Sequence, residues 1–144
     1  MADEATSSNP SDGDTLKALQ SGRVVGGQRV PWSYNGTFVV KIEDGPQRVI
    51  RGVYKPKRGE MPLYDFPSGS LYKREYAAYL VSRALGWPNI PPTVIRDGPH
   101  GVGSMQLYVE SDPRVTYFDL IERNVDKLLP FAAFDLLCNN ADRK

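Results

Sequence analysis

Apolar and polar positions fall into three early runs, residues 23–32, 37–43 and 47–55, the first two rich in β-formers and the third alternating with period two. Between the first two lies Ser33-Tyr34-Asn35-Gly36, and Asn-Gly is a strong hairpin signal because both residues tolerate positive φ. Asp44-Gly45 marks the next reversal, so the three strands are expected to form an antiparallel meander. Alternation in the third strand puts Ile50, Gly52 and Tyr54 on one face and Arg51, Val53 and Lys55 on the other. A proline-rich loop follows, and then residues 71–85 switch to helical spacing, with Leu71, Ala78, Val81 and Leu85 as the expected inner stripe. Ser70 is the expected N-cap, and Gly86 before Trp87-Pro88 ends the helix.

Two more strands are predicted over residues 92–96 and 104–110, joined by the glycine-rich reversal that holds His100. Beyond Val115 the pattern is helical again, over residues 117–123 and then 128–138. The second of these stretches is apolar almost all round and reads as a helix inside a larger body. Proline fits only the first turn of a helix, so Pro130 places that start near Leu129. Asp135 is a lone acid on this stretch and is expected to support the loop after it, and Cys138 reads as a small core residue.

Length and composition narrow the picture. A chain of 144 residues with 40% hydrophobic residues can build one core, and its apolar runs are broken well short of the roughly 18 residues of a membrane span. Residues 1–14 hold four acids and almost nothing to bury, so they are expected to be a disordered acidic tail, and with no signal-peptide pattern the expected location is cytoplasmic. That also sets aside the glycosylation sequon Asn35-Gly36-Thr37. One cysteine and one histidine exclude a disulfide scaffold or a zinc cluster, and no metal site is expected. Without the tail acids, eighteen bases face thirteen acids. The run Arg48, Arg51, Lys55, Lys57, Arg58 reads either as a polyanion patch or as a solvated strand face, and no specific nucleic-acid partner is expected.

Three residues fall in an order that suits phosphoryl transfer: Lys55 closing a strand, Glu75 in the following helix, and Asp142 after the last helix. Such chemistry needs a cation on the phosphates, a carboxylate that holds the cation, and a carboxylate that orients the attacking group. Each residue alone is equally well read as an edge lysine, a paired helix acid and an Asx turn.

Four stretches taken together, V-Y-K-P-K-R-G-E-M-P-L-Y-D-F-P, R-E-Y-A-A-Y-L-V-S-R-A-L-G-W, P-P-T-V-I-R-D-G-P-H-G-V-G-S-M-Q-L-Y-V and F-D-L-L-C-N-N-A-D-R-K, resemble a bacterial family described as phosphatidylinositol 3- and 4-kinase-like. The resemblance runs from about Leu16 to Lys144 and implies an α+β, protein-kinase-like fold. Residues 15–110 would form the small lobe, an antiparallel sheet plus one helix, and residues 111–144 would begin the helical large lobe. By the same resemblance Lys55 is the phosphate-binding lysine, Glu75 its helix partner, and Asp142 the base-like residue of a catalytic loop similar to those of lipid kinases and HipA-type kinases. Asn35 and Gly36 would lie over the phosphates, and Gln106, Tyr108, Val109 and Glu110 would form the hinge at adenine. ATP and Mg²⁺ are the implied cofactors, and the phosphoryl acceptor stays open among lipid, protein and small molecule. Lys144 stands where lipid kinases carry histidine, and the sequence stops inside the loop, before the later metal ligands. The expectation is therefore the N-terminal part of an ATP-dependent phosphotransferase, inactive as 144 residues. The alternatives are a non-catalytic nucleotide- or protein-binding module of that fold, or an unrelated anion-binding α+β domain.

Overall fold

The computed structural model describes residues 11–87 and 90–140. Five strands, β1 (Arg23–Arg29), β2 (Phe38–Glu43), β3 (Val49–Pro56), β4 (Thr93–Gly98) and β5 (Gly101–Leu107), form one antiparallel sheet in the order β1-β2-β3-β5-β4. Three α-helices accompany it: α1 (Asp12–Ser21), α2 (Leu71–Ala84) and α3 (Tyr117–Leu137), with one 3-10 turn at Lys57–Gly59. The fold is α+β, with the predicted succession of three strands, a helix and two strands. Among the described residues no helix is long and apolar enough to cross a membrane.

Alternation in β3 works as its sequence dictates. Gly52 and Tyr54 are buried, and Tyr54 stands in the core with Leu19, Val40, Ile42, Val94 and Met105. Helix α1 supplies Leu19 and the flanking Leu16 to this face. The Arg96 guanidinium donates to the carbonyls of Leu19 (3.0 Å) and Gly22 (2.8 Å), closing the C-terminal end of α1 where orphan acceptors favour a cation. Tyr54 fixes the β4–β5 hairpin: its hydroxyl donates to the Gly101 carbonyl and accepts from the His100 N–H (3.2 Å). The His100 ring stacks on Phe38 at 4.7 Å, so the residue expected simply to turn the chain also roofs the core.

Several expectations change. Helix α1 begins at Asp12, inside the stretch expected to be disordered, because Ser11 and Asp14 cap it reciprocally: Ser11 Oγ donates to the Asp14 carboxylate (2.7 Å) and accepts from Asp14 N–H (3.1 Å). The rest of that tail, residues 1–10, lies outside the described residues. The Asp44-Gly45 turn forms as predicted, with Gly45 at φ +84°. The Asn35-Gly36 turn does not, since neither residue has positive φ and the β1–β2 connection is a long loop closed by Val30 N–H to the Thr37 carbonyl at 2.8 Å.

The inward stripe of α2 is Tyr72, Tyr79 and Ser82, while the predicted Leu85 and its neighbour Leu80 stand exposed. Tyrosines fit a face whose far side meets charged groups, because the ring packs and the hydroxyl stays available for hydrogen bonds. Ser70 holds the N-cap position but its hydroxyl turns back to the Pro67 carbonyl, and Glu60 Oε1 accepts from Tyr72 N–H (2.7 Å) instead.

The two predicted C-terminal helices are both present and run on from one another as α3, broken at Asn124, whose backbone is non-helical (φ −137°, ψ 24°) and whose side-chain amide donates to the Leu120 carbonyl at 3.0 Å. The second helix begins just after Asn124 rather than near Leu129, so Pro130 sits beyond its first turn. Among the described residues of α3 only Phe134 is buried, whereas Leu129, Leu136 and Leu137 are exposed, and Cys138 at the helix end is only partly covered. Burial still dominates the thiol's surroundings and pushes its pKa up, with the Asp135 charge adding to the rise.

Candidate functional site

The face of the sheet opposite the core carries the predicted chemistry. Antiparallel pairing sets Lys55 opposite Ser104 and Val53 opposite Gln106, with Ile95 and Thr93 continuing those rows on β4. Lys55 Nζ meets Glu75 Oε1 of α2 at 2.5 Å. A sheet residue and a helix residue twenty positions apart thus converge, because α2 packs against β4 and β5 with Glu75 beside its inward tyrosine stripe. Their side chains keep 34% and 37% of their surface exposed, so the pair is reachable by a ligand and only partly screened.

Helix α2 is anchored at both ends. At its start Glu60 caps Tyr72, and at its end Ser82 Oγ donates to the Trp87 carbonyl. Its outer side carries Arg74, whose guanidinium lies 3.9 Å over the Phe66 ring and donates to the Cys138 carbonyl at the end of α3 (3.2 Å). Trp87 meets Phe134 edge to face at 6.3 Å, a second tie between α2's exit and α3.

The other predicted residues are distributed as follows. Asn35 and Gly36 do not reach Lys55 by any hydrogen bond among the described residues. They are tied to the segment after β3, with Gly36 N–H donating to the Gly59 carbonyl (2.9 Å) and Asn35 Oδ1 accepting from Met61 N–H (2.8 Å). Gln106 uses its side-chain amide on Thr93 Oγ1 (2.9 Å). Strand β5 ends at Leu107, so Tyr108, Val109 and Glu110 leave the sheet as an exposed connector. Arg51 holds that connector: its guanidinium sits 4.4 Å over the Tyr108 ring and pairs with the Glu110 carboxylate, while its carbonyl accepts from Tyr108 N–H at 2.9 Å. Asp142 lies outside the described residues. The turn leading toward it is braced by Asp135, which accepts from Asn140 through its carbonyl (2.8 Å) and its carboxylate (3.0 Å), with Asn139 at φ +52°.

The basic run does not act as one patch. Arg48 pairs with Asp44 (3.3 Å), Arg51 with Glu110 and Lys55 with Glu75, which leaves Lys57 and Arg58 of the five without an ion pair among the described residues. Among the described residues no group of three or more His, Cys, Asp or Glu could hold a metal ion. Sequence reasoning did not find Glu60 or Arg74, and read Arg51 as part of an anion-binding run rather than as the brace of the Tyr108–Glu110 connector. Arg74 lies next to Glu75 and so points about 100° away around the helix, the one local signal that was present.

The chain is 37% identical over 166 aligned positions to Protein Rv2133c of Mycobacterium tuberculosis (strain ATCC 25618 / H37Rv), in a match that takes in 91% of the chain and 59% of the relative. The chain thus spans about three-fifths of that protein's length. No family model matches it. No solved structure matches it either.

Proposed function

We propose that this chain is the nucleotide-binding, N-terminal part of an ATP-dependent phosphotransferase of the phosphatidylinositol 3-/4-kinase-like kind, with a protein-kinase-like small lobe over residues 15–110. The observation that carries this reading is the Lys55–Glu75 pair: a strand-end lysine held by a helix carboxylate at 2.5 Å on the sheet face opposite the core, open enough to receive a ligand. A lysine oriented this way presents a fixed positive charge to phosphate oxygens, and fixed charge is most of what phosphoryl transfer asks of a protein.

The residues fit a nucleotide on two sides. Lys55 suits the phosphates, and the Tyr108–Glu110 connector, pinned by Arg51 two rows away on the same face of the strand, suits a base. Mg²⁺ would neutralise charge on the phosphates. Its ligands are not assigned here, and Asp142 is proposed as the group that orients the acceptor. Asn35 and Gly36 support the reading less, since their loop is tethered to Gly59 and Met61.

The exposed leucines of α3 and the greater length of the relative both favour a helical large lobe packed on this part of the chain. The activity proposed belongs to such a whole protein, and the 144-residue chain by itself is expected to bind nucleotide without turning it over. The test is calorimetric titration of the purified chain with ATP, alongside an ATPase assay. Binding that Lys55→Met abolishes supports the reading. Turnover well above background would overturn the expectation of inactivity, and ATP binding indifferent to Lys55→Met would overturn the site.

The second reading, an anion-binding α+β domain, has little left to act through, because three of the five cations in the basic run are neutralised within the fold.

A further inference from the structure

The β1–β2 loop and the segment after β3 are built as a single projection. Gly36 and Gly59 meet backbone to backbone, so closely that a Cβ on Gly59 would lie 2.8 Å from Gly36 Cα and one on Gly36 would lie 3.2 Å from Gly59 Cα. Together with the Gly36–Gly59 and Asn35–Met61 hydrogen bonds, this contact fixes the two loops side by side. What the pair then exposes is unusual for loops. Trp32 is 89% exposed, Tyr34 87%, and Tyr64 wholly so, with Met61 and Leu63 more than two-fifths exposed beside them. Scattered apolar residues on a surface need no explanation, but five large ones on two loops tied together at Gly36–Gly59 and Asn35–Met61 are a concentration that calls for a partner.

The surroundings select the partner. Arg29 at the root of the first loop and Lys57 and Arg58 at the root of the second form no ion pair among the described residues. Of the nearby acids, Glu60 is engaged as the cap of α2 and Asp65 remains. Tryptophan and tyrosine with adjoining aliphatic tips and a ring of lysine and arginine match the interfacial zone of a membrane, where amphipathic rings sit at headgroup depth and cations face anionic lipid. A single-stranded nucleic acid would use ring faces and cations but leave Met61 and Leu63 without a role.

We infer that this two-loop projection docks the protein peripherally on an anionic phospholipid surface, with Trp32, Tyr34 and Tyr64 at headgroup depth and Lys57 and Arg58 against the lipid charge. This docking does not depend on the proposed phosphotransferase activity, and it requires no particular headgroup beyond negative charge.

The test is co-sedimentation of the full chain with vesicles of phosphatidylcholine alone and of phosphatidylcholine with phosphatidylserine at about 7:3, a charge density near that of a cytoplasmic leaflet. Binding is expected to the charged vesicles, with a blue shift in tryptophan emission. Lys57→Ala with Arg58→Ala should weaken binding about thirtyfold, at roughly fivefold for each cation near such a surface. Trp32→Ala with Tyr34→Ala should weaken it on the order of tenfold and remove the blue shift. Leu63→Ala with Tyr64→Ala, on the other loop, gives an independent measure should the first pair alter folding by circular dichroism. Phosphatidylglycerol at equal charge should serve as well as phosphatidylserine.

No binding to charged vesicles overturns the inference, as does binding that neither aromatic pair weakens. A dimer that disappears in Trp32→Ala would make the patch a self-association surface. Tighter binding to a single-stranded oligonucleotide than to vesicles would make it a nucleic-acid platform.

Discussion

Lys55→Met, Glu75→Gln and the double variant together test whether the central ion pair is there for folding or for a ligand. At 2.5 Å the pair has the geometry of a charge-assisted hydrogen bond, a class worth about 1.5–3 kcal/mol when desolvated. Each side chain, however, keeps about a third of its surface in water, which discounts that figure toward the roughly 0.2–1 kcal/mol of exposed pairs. The coupling energy from a double-mutant cycle in urea is therefore expected near 0.5–1 kcal/mol, and each single variant should move the midpoint by only about 0.3–0.7 M at a typical slope. Nucleotide affinity should behave differently. Lys55→Met should lose ATP binding by on the order of tenfold or more, while Glu75→Gln, which leaves the cation in place but unanchored, should lose less. A coupling energy near 3 kcal/mol would show a desolvated structural pair, and ATP affinity unchanged in Lys55→Met would remove the ligand role. Either result refutes the reasoning.

Three further outcomes follow from other parts of the fold. Tyr54→Phe removes a hydroxyl that bonds Gly101 and His100 in the core, so it should cost about 1–3 kcal/mol in a denaturant melt, with the β4–β5 hairpin exchanging amide protons faster. Burial raises the Tyr54 pKa above its ordinary 10.0, so the folded state holds the phenolic proton more tightly than the unfolded chain; wild-type stability should be intact below pH 10 and fall above it, and that alkaline fall should shrink in Tyr54→Phe. Hydrogen bonds from Ser11 and Thr116 hold the Asp14 and Asp119 carboxyls below 3.8, so both caps should persist above that pH and the starts of α1 and α3 should fray as pH falls beneath it, seen as loss of helical ellipticity that Asp119→Asn reproduces in part at neutral pH. Gly59→Ala, with its Cβ 2.8 Å from Gly36 Cα, should separate the two loops and raise proteolysis within residues 30–37 while leaving the sheet's melting midpoint nearly unchanged.

The strands were legible because short runs of β-formers are set off by turn residues, and the Asp44-Gly45 and Pro99-His100 reversals lie where the chain needs them. Lys55 and Glu75 could be named for the same reason: strand parity gives Lys55's face, and α2 is long enough to be certain in type. The inner face of α2 was not legible, since two tyrosines and a serine do the packing and the aliphatic residues that usually mark a core stand outside it. Asn35-Gly36 misled because a local turn preference was overridden by long-range hydrogen bonds to Gly59 and Met61, which no local pattern encodes. Helix α3 was read correctly in type over its apolar stretch. Its apolar character forecast burial, which only Phe134 shows within the described residues.

Glu75 and Arg74 are neighbours on α2, and on a helix neighbours point about 100° apart. One grips the sheet through Lys55, and the other grips the last carbonyls of α3 through Cys138. The helix is therefore a crank with two arms on one shaft. A turn that swings Glu75 clear of Lys55 also swings Arg74 away from Cys138, so release of the lysine by rotation of α2 also gives up this tie to the end of α3.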